Sequence, residues 1–181
     1  TLQQSSAASD VYKRQDGTRV EDAQELVNDV GGSSGNIAVS IAKQGHPVML
    51  LSAVSNDGVG RFVTRSLGEY GVDTRHCFVT AGLERTSLAM AETTTDSPDV
   101  TIYRNGAADL AITPAHAEAV DVAALGAIII TGTALSREPS RSACERLVEL
   151  AGDAGCPVVL DIDYRAQAWD SPAEAREILA G

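Results

Sequence analysis

Apolar residues fall into short continuous runs and into segments of helical period, and the two kinds alternate along the chain. Residues 48–54 form a nearly continuous apolar run, which is typical of a strand buried on both faces of a parallel sheet. Asp57 is a candidate N-cap for the next segment, in which apolar residues recur at helical spacing until Gly71. Residues 77–80 are a short strand, so the pattern predicts a strand, a helix and a second strand in succession.

The same alternation returns in the second half of the chain. Residues 127–131 and 157–163 are apolar runs of strand length, residues 140–151 carry apolar positions at helical spacing, and a further helix begins at Pro172. Buried strands that alternate with helices predict an α/β fold, namely a Rossmann-like parallel sheet flanked by helices.

The period changes in the middle of the chain. Residues 86–95 and 100–104 are rich in β-forming residues, and a turn at residues 96–99 separates them. They predict a hairpin that projects from the main sheet, with an ordinary hairpin at the sheet edge as the alternative. Local propensity over residues 22–29 favours a helix instead.

The start of the chain carries no structural pattern. Residues 1–9 are polar and without period, so they are predicted to be disordered or a non-native leader. No buried hydrophobic strand is visible ahead of Asp10.

A glycine-rich turn at Gly31, Gly32 and Gly35 precedes a helix that opens at Asn36 and ends at Gly45. Glycine lets the backbone turn tightly and approach a ligand, and a helix start presents unpaired N–H groups that suit hydroxyls or anions. No Gly-Lys-Ser/Thr follows, so the turn is not a P-loop, and the later glycines do not complete a dinucleotide fingerprint. A helix-entry loop without any ligand is the alternative.

Charge and cysteine content exclude several classes of function. The 181 residues carry a net charge of −11 at pH 7, which argues against nucleic acid and anionic membrane surfaces as partners. No apolar run approaches the length of a bilayer-spanning helix. Cys77, Cys144 and Cys156 lack Cys-x-x-Cys spacing, so they indicate reduced thiols of a cytoplasmic protein and neither a disulfide framework nor a metal site.

Polar side chains follow several predicted strands, at the end where ligands gather in open parallel sheets. Asp161 and Asp163 alternate with Ile162, so both carboxylates are expected to leave the same face. Arg165 lies just beyond them, and its planar guanidinium suits a carboxylate or a phosphate. A solvated strand end is the alternative.

The glycine-rich turn, with Gly45, Asp57 and Gly60 after it, resembles the N-terminal motif of the ribokinase-like (PfkB) sugar kinases. Ser55 departs from this pattern, because the family usually has a glycine at that position.

The resemblance also implies a domain organisation. Residues 10–181 would form the N-terminal portion of a ribokinase-like domain, incomplete in this chain. Segments at about residues 10–30 and 86–105 would form a small projecting β-lid over the sugar.

The end of the last predicted strand, Asp161-Ile-Asp-Tyr-Arg with Trp169 four residues later, resembles the Asp-x-Asn-x-Arg-x-x-x-Trp motif of 2-keto-3-deoxygluconate-type kinases. Asp163 in place of Asn, together with Tyr103-Arg104 and Thr131-Gly132-Thr133, resembles the 5-dehydro-2-deoxygluconokinase branch of myo-inositol breakdown. The resemblance implies a kinase that phosphorylates a sugar acid with ATP and Mg²⁺. 2-Keto-3-deoxygluconate kinase, fructokinase and a non-catalytic sugar-binding α/β module are the alternatives.

The resemblance implies roles for individual residues as well. Arg165 would also stabilise the transferred phosphoryl group, and Asp163 would lie near the phosphates. An accidental match is the alternative for Asp10, and a lid-surface arginine is the alternative for Arg104. A homo-oligomer formed through the lid is a further implication. The residues assigned to the substrate are Asp10, Gly31, Gly32, Asn36, Tyr103, Arg104 and Arg165.

The catalytic aspartate of the family lies in a Gly-Ala-Gly-Asp motif that opens a helix. Residues 151–155, Ala-Gly-Asp-Ala-Gly, are predicted to end a helix and precede a strand, so they are a helix-stop turn and not that motif. We therefore predict that a protein made of these 181 residues alone does not phosphorylate a sugar. Coupled detection of ADP checks this prediction, and ATP-dependent phosphorylation of any sugar acid by this chain alone would contradict it.

Overall fold

In a computed structural model of the protein, the described residues are 2–4, 8–13, 19–92 and 100–180. The strands, in chain order, are β1 (Leu2–Gln4), β2 (Ala8–Lys13), β3 (Leu26–Gly31), β4 (Met49–Val54), β5 (Cys77–Val79), β6 (Leu88–Ala91), β7 (Val100–Tyr103), β8 (Ile128–Thr131) and β9 (Val158–Asp161). The α-helices are α1 (Ser33–Lys43), α2 (Gly58–Glu69), α3 (Pro114–Glu118), α4 (Ser140–Ala154) and α5 (Pro172–Ala180).

The main sheet has the strand order β5-β4-β1-β8-β9, and all its pairings are parallel. Parallel strands need long crossover connections, which the helices provide. The predicted α/β fold with a parallel sheet is therefore confirmed. Every helix among the described residues falls short of the length and apolar character that a bilayer-spanning helix needs.

The centre of the main sheet is β1, which lies in the stretch that the sequence pattern left without structure. Leu2–Gln4 pairs with residues 49–51 of β4 on one side and with residues 128–130 of β8 on the other. The expectation that no strand precedes Asp10 is therefore wrong. A central strand finds backbone partners on both sides whatever its side chains are, and three residues are too few to show a period.

A second sheet has the strand order β3-β2-β6-β7. In this sheet β2 pairs antiparallel with β3 and parallel with β6, and β6 pairs antiparallel with β7. The predicted hairpin therefore forms, although its turn at residues 93–99 lies outside the described residues. Residues 26–31 are a strand and not a helix, because pairing with β2 outweighs their local propensity.

Two apolar clusters cover the faces of the main sheet. One contains Leu51 with residues of α3, α4 and β8, and the other contains Leu50 with residues of α1 and α2. These adjacent leucines are both fully buried, as expected of a strand with neighbours on both faces. The prediction that residues 48–54 form a buried strand is confirmed.

The edge strand β9 differs from its prediction. Val158, Val159 and Leu160 are 39 to 52% exposed, so this apolar strand is not buried on both faces among the described residues. It pairs on one side with β8 and has no strand partner on the other side within the described chain. The alternation of strands and helices predicted its existence, but burial depends on which elements pack against it.

Helix α2 begins at its predicted cap, whereas α1 begins at Ser33, before the predicted Asn36, and α4 continues beyond the predicted end at residue 151. Asp57 accepts hydrogen bonds from the backbone N–H groups of Val59 and Gly60, at 3.0 and 3.1 Å, and so caps α2 as predicted. Helix α4 runs to Ala154 and ends at Gly155, whose φ of 66° is left-handed. Residues 151–155 therefore end a helix and precede β9, as the sequence predicted.

Two glycines of α2 differ sharply in their surroundings. A Cβ on Gly60 would lie 2.0 Å from the carbonyl oxygen of Ser55, whereas a Cβ on Gly68 would meet nothing within 4 Å. The backbone after β4 therefore packs directly on the first turn of α2, and only glycine fits at residue 60.

We predict that Gly60→Ala lowers the free energy of unfolding by about 1–3 kcal/mol, because backbone atoms must move to admit the methyl group. Gly68→Ala is the matched control in the same helix, and it should raise stability by up to about 1 kcal/mol through helix propensity. Urea unfolding followed by circular dichroism measures both variants. Equal stability of the two would show that the close approach at residue 60 does not constrain the fold.

Candidate functional site

A cleft of about 1110 Å³ lies between the carboxyl ends of the main-sheet strands and the second sheet. Residues from the start of α1, from β6 and β7, and from the turns after β8 and β9 line it. The polar and charged side chains among them are Ser33, Asn36, Glu84, Ser87, Arg104, Asn105, Thr133, Ser136, Arg137, Glu138, Asp161, Asp163, Arg165 and Gln167.

The N-terminus of α1 faces this cleft. Gly32 caps the helix with a φ of 82°, which glycine adopts without strain. Gly32, Ser33 and Asn36 all line the cleft, so the structure brings two of the predicted substrate residues to it. Gly31 is the last residue of β3 and does not line the cleft. The unpaired N–H groups of a helix start suit hydroxyls or anions.

Arg104 lines the cleft, and hydrogen bonds to Asp109 and Thr133 hold its guanidinium in place. Its Nε and Nη2 donate to one carboxylate oxygen of Asp109, at 3.2 and 2.5 Å. Its Nη1 and Nη2 also donate to the backbone carbonyl of Thr133, at 3.2 and 3.3 Å. These bonds tie the end of the second sheet to the turn after β8 and fix the plane of the guanidinium.

Asp109 was not singled out from the sequence. It is buried in a short 3-10 turn (Ala108–Ala111), and its second oxygen accepts a hydrogen bond from the hydroxyl of Ser87 at 2.7 Å. A single acid inside the apolar stretch of residues 107–112 is the signal that could have identified it.

Tyr103 does not reach the cleft, although Arg104 does. Its side chain is 57% exposed, whereas Val100 and Ile102 of the same strand line the cleft. Successive side chains of a strand point to opposite faces, so Tyr103 and Ile102 cannot both face the cleft. The structure therefore separates two residues that the sequence analysis assigned to the same substrate.

Asp163 connects the start of α1 with the segment that follows β9. The Ser33 hydroxyl donates to one of its oxygens, and Arg165 Nε donates to the other at 3.0 Å. Asp163 has a φ of 30°, a conformation that aspartate tolerates better than most residues. Asp161 is the last residue of β9, whereas Asp163 lies in the irregular segment after it, so Asp163 reaches the cleft without continued strand alternation.

Arg165 presents its outer edge to the cleft. Its side chain is 61% exposed, and its bond to Asp163 uses only Nε. The two Nη groups can therefore meet a carboxylate or a phosphate in a planar, two-point fashion. Asp10 lies in β2 opposite Ala89, whose side chain lines the cleft, but the side chain of Asp10 is outside the described part of the structure.

Glu84 is a further acid at the cleft. Its Oε2 is buried and has no hydrogen-bond partner among the described residues. A buried carboxylate oxygen without a donor is energetically costly.

Ser55 occupies the position at which the ribokinase-like motif usually has a glycine. Its hydroxyl donates to Asp57 Oδ1 at 2.8 Å and accepts from the backbone N–H of Thr86 at 3.1 Å. The pKa of Asp57 is lowered most strongly by the hydrogen bond from the backbone N–H of Gly60, and next by the hydrogen bond from this hydroxyl. The serine is thus accommodated, and it links the end of β4 to the strand that enters the second sheet.

Cys144 is buried and Cys77 is partly buried, and metal-ligand side chains do not cluster among the described residues. Burial raises the pKa of Cys77 to about 12 and also raises that of Cys144, so neither is a thiolate at neutral pH. The described residues contain no group of three or more His, Cys, Asp or Glu side chains that could hold a metal ion.

Comparison with known proteins agrees with this geometry. A family model described as pfkB family carbohydrate kinase matches residues 5–180. A 5-dehydro-2-deoxygluconokinase from Photobacterium profundum is 36% identical over 169 residues, which cover 93% of this chain and 51% of that protein. The enzyme of the same name from Shouchella clausii is 35% identical over 156 residues, covering 86% and 48%. The chain thus spans about half the length of the curated relatives it matches.

Solved structures match the fold at low sequence identity. A PfkB protein from Polaromonas sp. JS666 has a TM-score of 0.89 at 21% identity, and the match covers 99% of this chain and 60% of that one. An uncharacterized sugar kinase from Pyrococcus horikoshii in complex with ATP has a TM-score of 0.84 at 21% identity, covering 98% and 58%. With the family model matching nearly its whole length, the chain belongs to the pfkB family of carbohydrate kinases.

Proposed function

We propose that this chain is the N-terminal, substrate-binding part of an ATP-dependent sugar-acid kinase that phosphorylates 5-dehydro-2-deoxygluconate in myo-inositol catabolism. The observation that carries the proposal is the exposed outer edge of Arg165 at a cleft that also contains a helix N-terminus. Relatives of that name, 31 to 36% identical to this chain, support the choice of substrate.

Arg165 is the proposed partner of the substrate's charged end. Both of its Nη groups are free of the Asp163 bond, and a planar guanidinium forms two parallel bonds with a carboxylate. Phosphoryl transfer depends mainly on positioning and on stabilising the charge of the transferred group. The same arginine would therefore also steady the phosphoryl group, with Asp163 near the phosphates.

Neutral oxygens of the sugar are assigned to the other side of the cleft. Arg104, Asn36 and the backbone at Gly32 supply donors, and Glu84 supplies an acceptor. The second sheet would act as the lid over the sugar. Asp10 and Tyr103 stay predictions as substrate residues, and a homo-oligomer through the lid would have to use the outer face on which Tyr103 lies.

ATP and Mg²⁺ enter the proposal through the family alone. Mg²⁺ bound with ATP would neutralise phosphate charge, and the described residues contain no group of three or more His, Cys, Asp or Glu side chains that could hold it. Three cysteines without disulfides support a cytoplasmic location.

Fructokinase is a second candidate, and the charges in the cleft favour it. The three arginines that line the cleft each pair with a carboxylate, Arg104 with Asp109, Arg137 with Asp170 and Arg165 with Asp163. Compensated arginines attract an anion less strongly than free ones, so a neutral sugar would also fit.

The substrate choice is tested with the complete enzyme and a panel of 5-dehydro-2-deoxygluconate, 2-keto-3-deoxygluconate and fructose. Coupled detection of ADP should give the highest kcat/KM with 5-dehydro-2-deoxygluconate. A higher kcat/KM with fructose would replace the proposal with the fructokinase function. Sugar binding in calorimetry without any turnover would favour a non-catalytic binding module.

Arg165→Ala in the complete enzyme should raise KM for the sugar acid or lower kcat by about 10- to 100-fold, the usual effect of losing charged hydrogen bonds. Arg65→Ala is the control, since Arg65 is an exposed arginine of α2 that pairs with Glu69, lies over the ring of Phe62 and does not line the cleft. Steady-state kinetics at saturating ATP separate the two variants. An unchanged kcat/KM in Arg165→Ala removes this residue from the site.

A further inference from the structure

Asp109 lies behind the cleft and connects two side chains that line it. One of its oxygens accepts from the Ser87 hydroxyl at 2.7 Å, and the other accepts from Arg104 Nε and Nη2 at 3.2 and 2.5 Å. Ser87 and Arg104 line the cleft, whereas Asp109 does not. Its side chain is 1% exposed, so no ligand in the cleft can touch the carboxylate itself.

The position of Asp109 makes it a joint between separate elements. Ser87 precedes β6, Arg104 follows β7, and Asp109 belongs to the 3-10 turn after them. Arg104 also reaches the Thr133 carbonyl beyond β8, so one ion pair fixes the second sheet against the main sheet. Burying a carboxylate is costly unless its oxygens are fully bonded, and here both oxygens have donors.

We propose that Asp109 is a positioning residue for substrate recognition. It holds the guanidinium of Arg104 and the hydroxyl of Ser87 at fixed points of the cleft wall. The inference rests on the proposed function only in taking the cleft as the sugar site.

The pair also determines what Arg104 recognises. The Asp109 carboxylate compensates the charge of Arg104 at 2.5 Å, and the bonds to Asp109 and Thr133 leave one N–H of Nη1 for a ligand, so Arg104 offers a single donor with little net charge. Such a group suits a hydroxyl or a carbonyl oxygen of the sugar. Arg165 pairs with Asp163 through Nε alone and is 61% exposed, so the anionic end of a substrate belongs there.

The test is a double-mutant cycle in the complete enzyme with Asp109→Asn, Arg104→Ala and both together. Asparagine keeps the volume and the bond from Ser87 but removes the charge that holds Arg104. Asp109→Asn should raise KM for the sugar about 10- to 100-fold and change KM for ATP less than about twofold. In the Arg104→Ala background the same substitution should change KM for the sugar less than about twofold, because the group it positions is gone.

Asp153→Asn is the matched control, since Asp153 is an exposed aspartate near the end of α4 and away from the cleft. It should leave both KM values within about twofold of the wild type. An equal effect of Asp109→Asn in the two backgrounds would overturn the inference, because Asp109 would then not act through Arg104. An equal rise in KM for sugar and ATP would overturn it too.

An NMR measurement on the wild-type protein tests whether Arg104 is held in place. It requires neither kinase activity nor a variant that folds. The Nε–H signal of Arg104 in the wild-type protein should exchange with solvent at least about tenfold more slowly than that of the exposed Arg65. Equal exchange rates would show that Arg104 is not held. If no sugar is phosphorylated but Arg104 is protected, the proposed function fails and the anchoring of Arg104 by Asp109 stands.

Discussion

Parallel pairing in the main sheet is the constraint on which the candidate site depends. Parallel strands end at one edge, so β4, β8 and β9 deliver their following residues to the same place. The Ser33 hydroxyl meets Asp163, 130 residues away, and Ser34 lies 3.3 Å from the hydroxyl of Thr131, 97 residues away. No local feature of the chain could bring these groups together.

Close approach of backbone segments keeps this edge compact. A Cβ on Gly132 would lie 1.9 Å from the carbonyl oxygen of Ile162, just as a Cβ on Gly60 would meet Ser55. The first contact holds the turn after β8 against the turn after β9, and the second holds α2 against the end of β4. Gly132 therefore fixes the distance between two strand ends at the cleft, and Gly60 fixes the distance between α2 and a strand end. Rigid spacing of this kind is what a site needs in order to hold a ligand in one orientation.

The sequence predicted those parts of the fold that local pattern determines. Continuous apolar runs identified β4 and β8, and Asp57 and Gly155 marked the ends of helices, because caps and buried strands follow from short-range chemistry. The central strand β1 escaped notice because three residues show no period. The exposure of β9 could not be predicted, since burial depends on what packs against a strand and not on its own residues.

The same distinction between local pattern and tertiary contacts applies to the residues of the candidate site. Gly32, Asn36, Arg104 and Arg165 were assigned to the substrate through the resemblance to sugar kinases, and the structure brings all four to one cleft. Tyr103 was placed beside Arg104 although strand alternation separates the faces of neighbouring residues. Asp109 was missed because its role appears only when residues 87, 104 and 109 come together.

Binding of an acidic sugar, as proposed, would pose an electrostatic problem for a protein of this charge. The net charge is −11, and four carboxylates, those of Glu84, Glu138, Asp161 and Asp163, line the cleft beside three arginines. A uniformly positive pocket would need many basic residues. In this cleft, by contrast, paired carboxylates neutralise the arginines to different degrees. Arg104 is 16% exposed and bound through both its Nε and Nη groups, while Arg165 is 61% exposed and bound through Nε alone. Since solvent exposure and pairing set how much charge an arginine offers a ligand, the contrast between these two side chains would let the proposed sugar site discriminate between a neutral sugar and its acid.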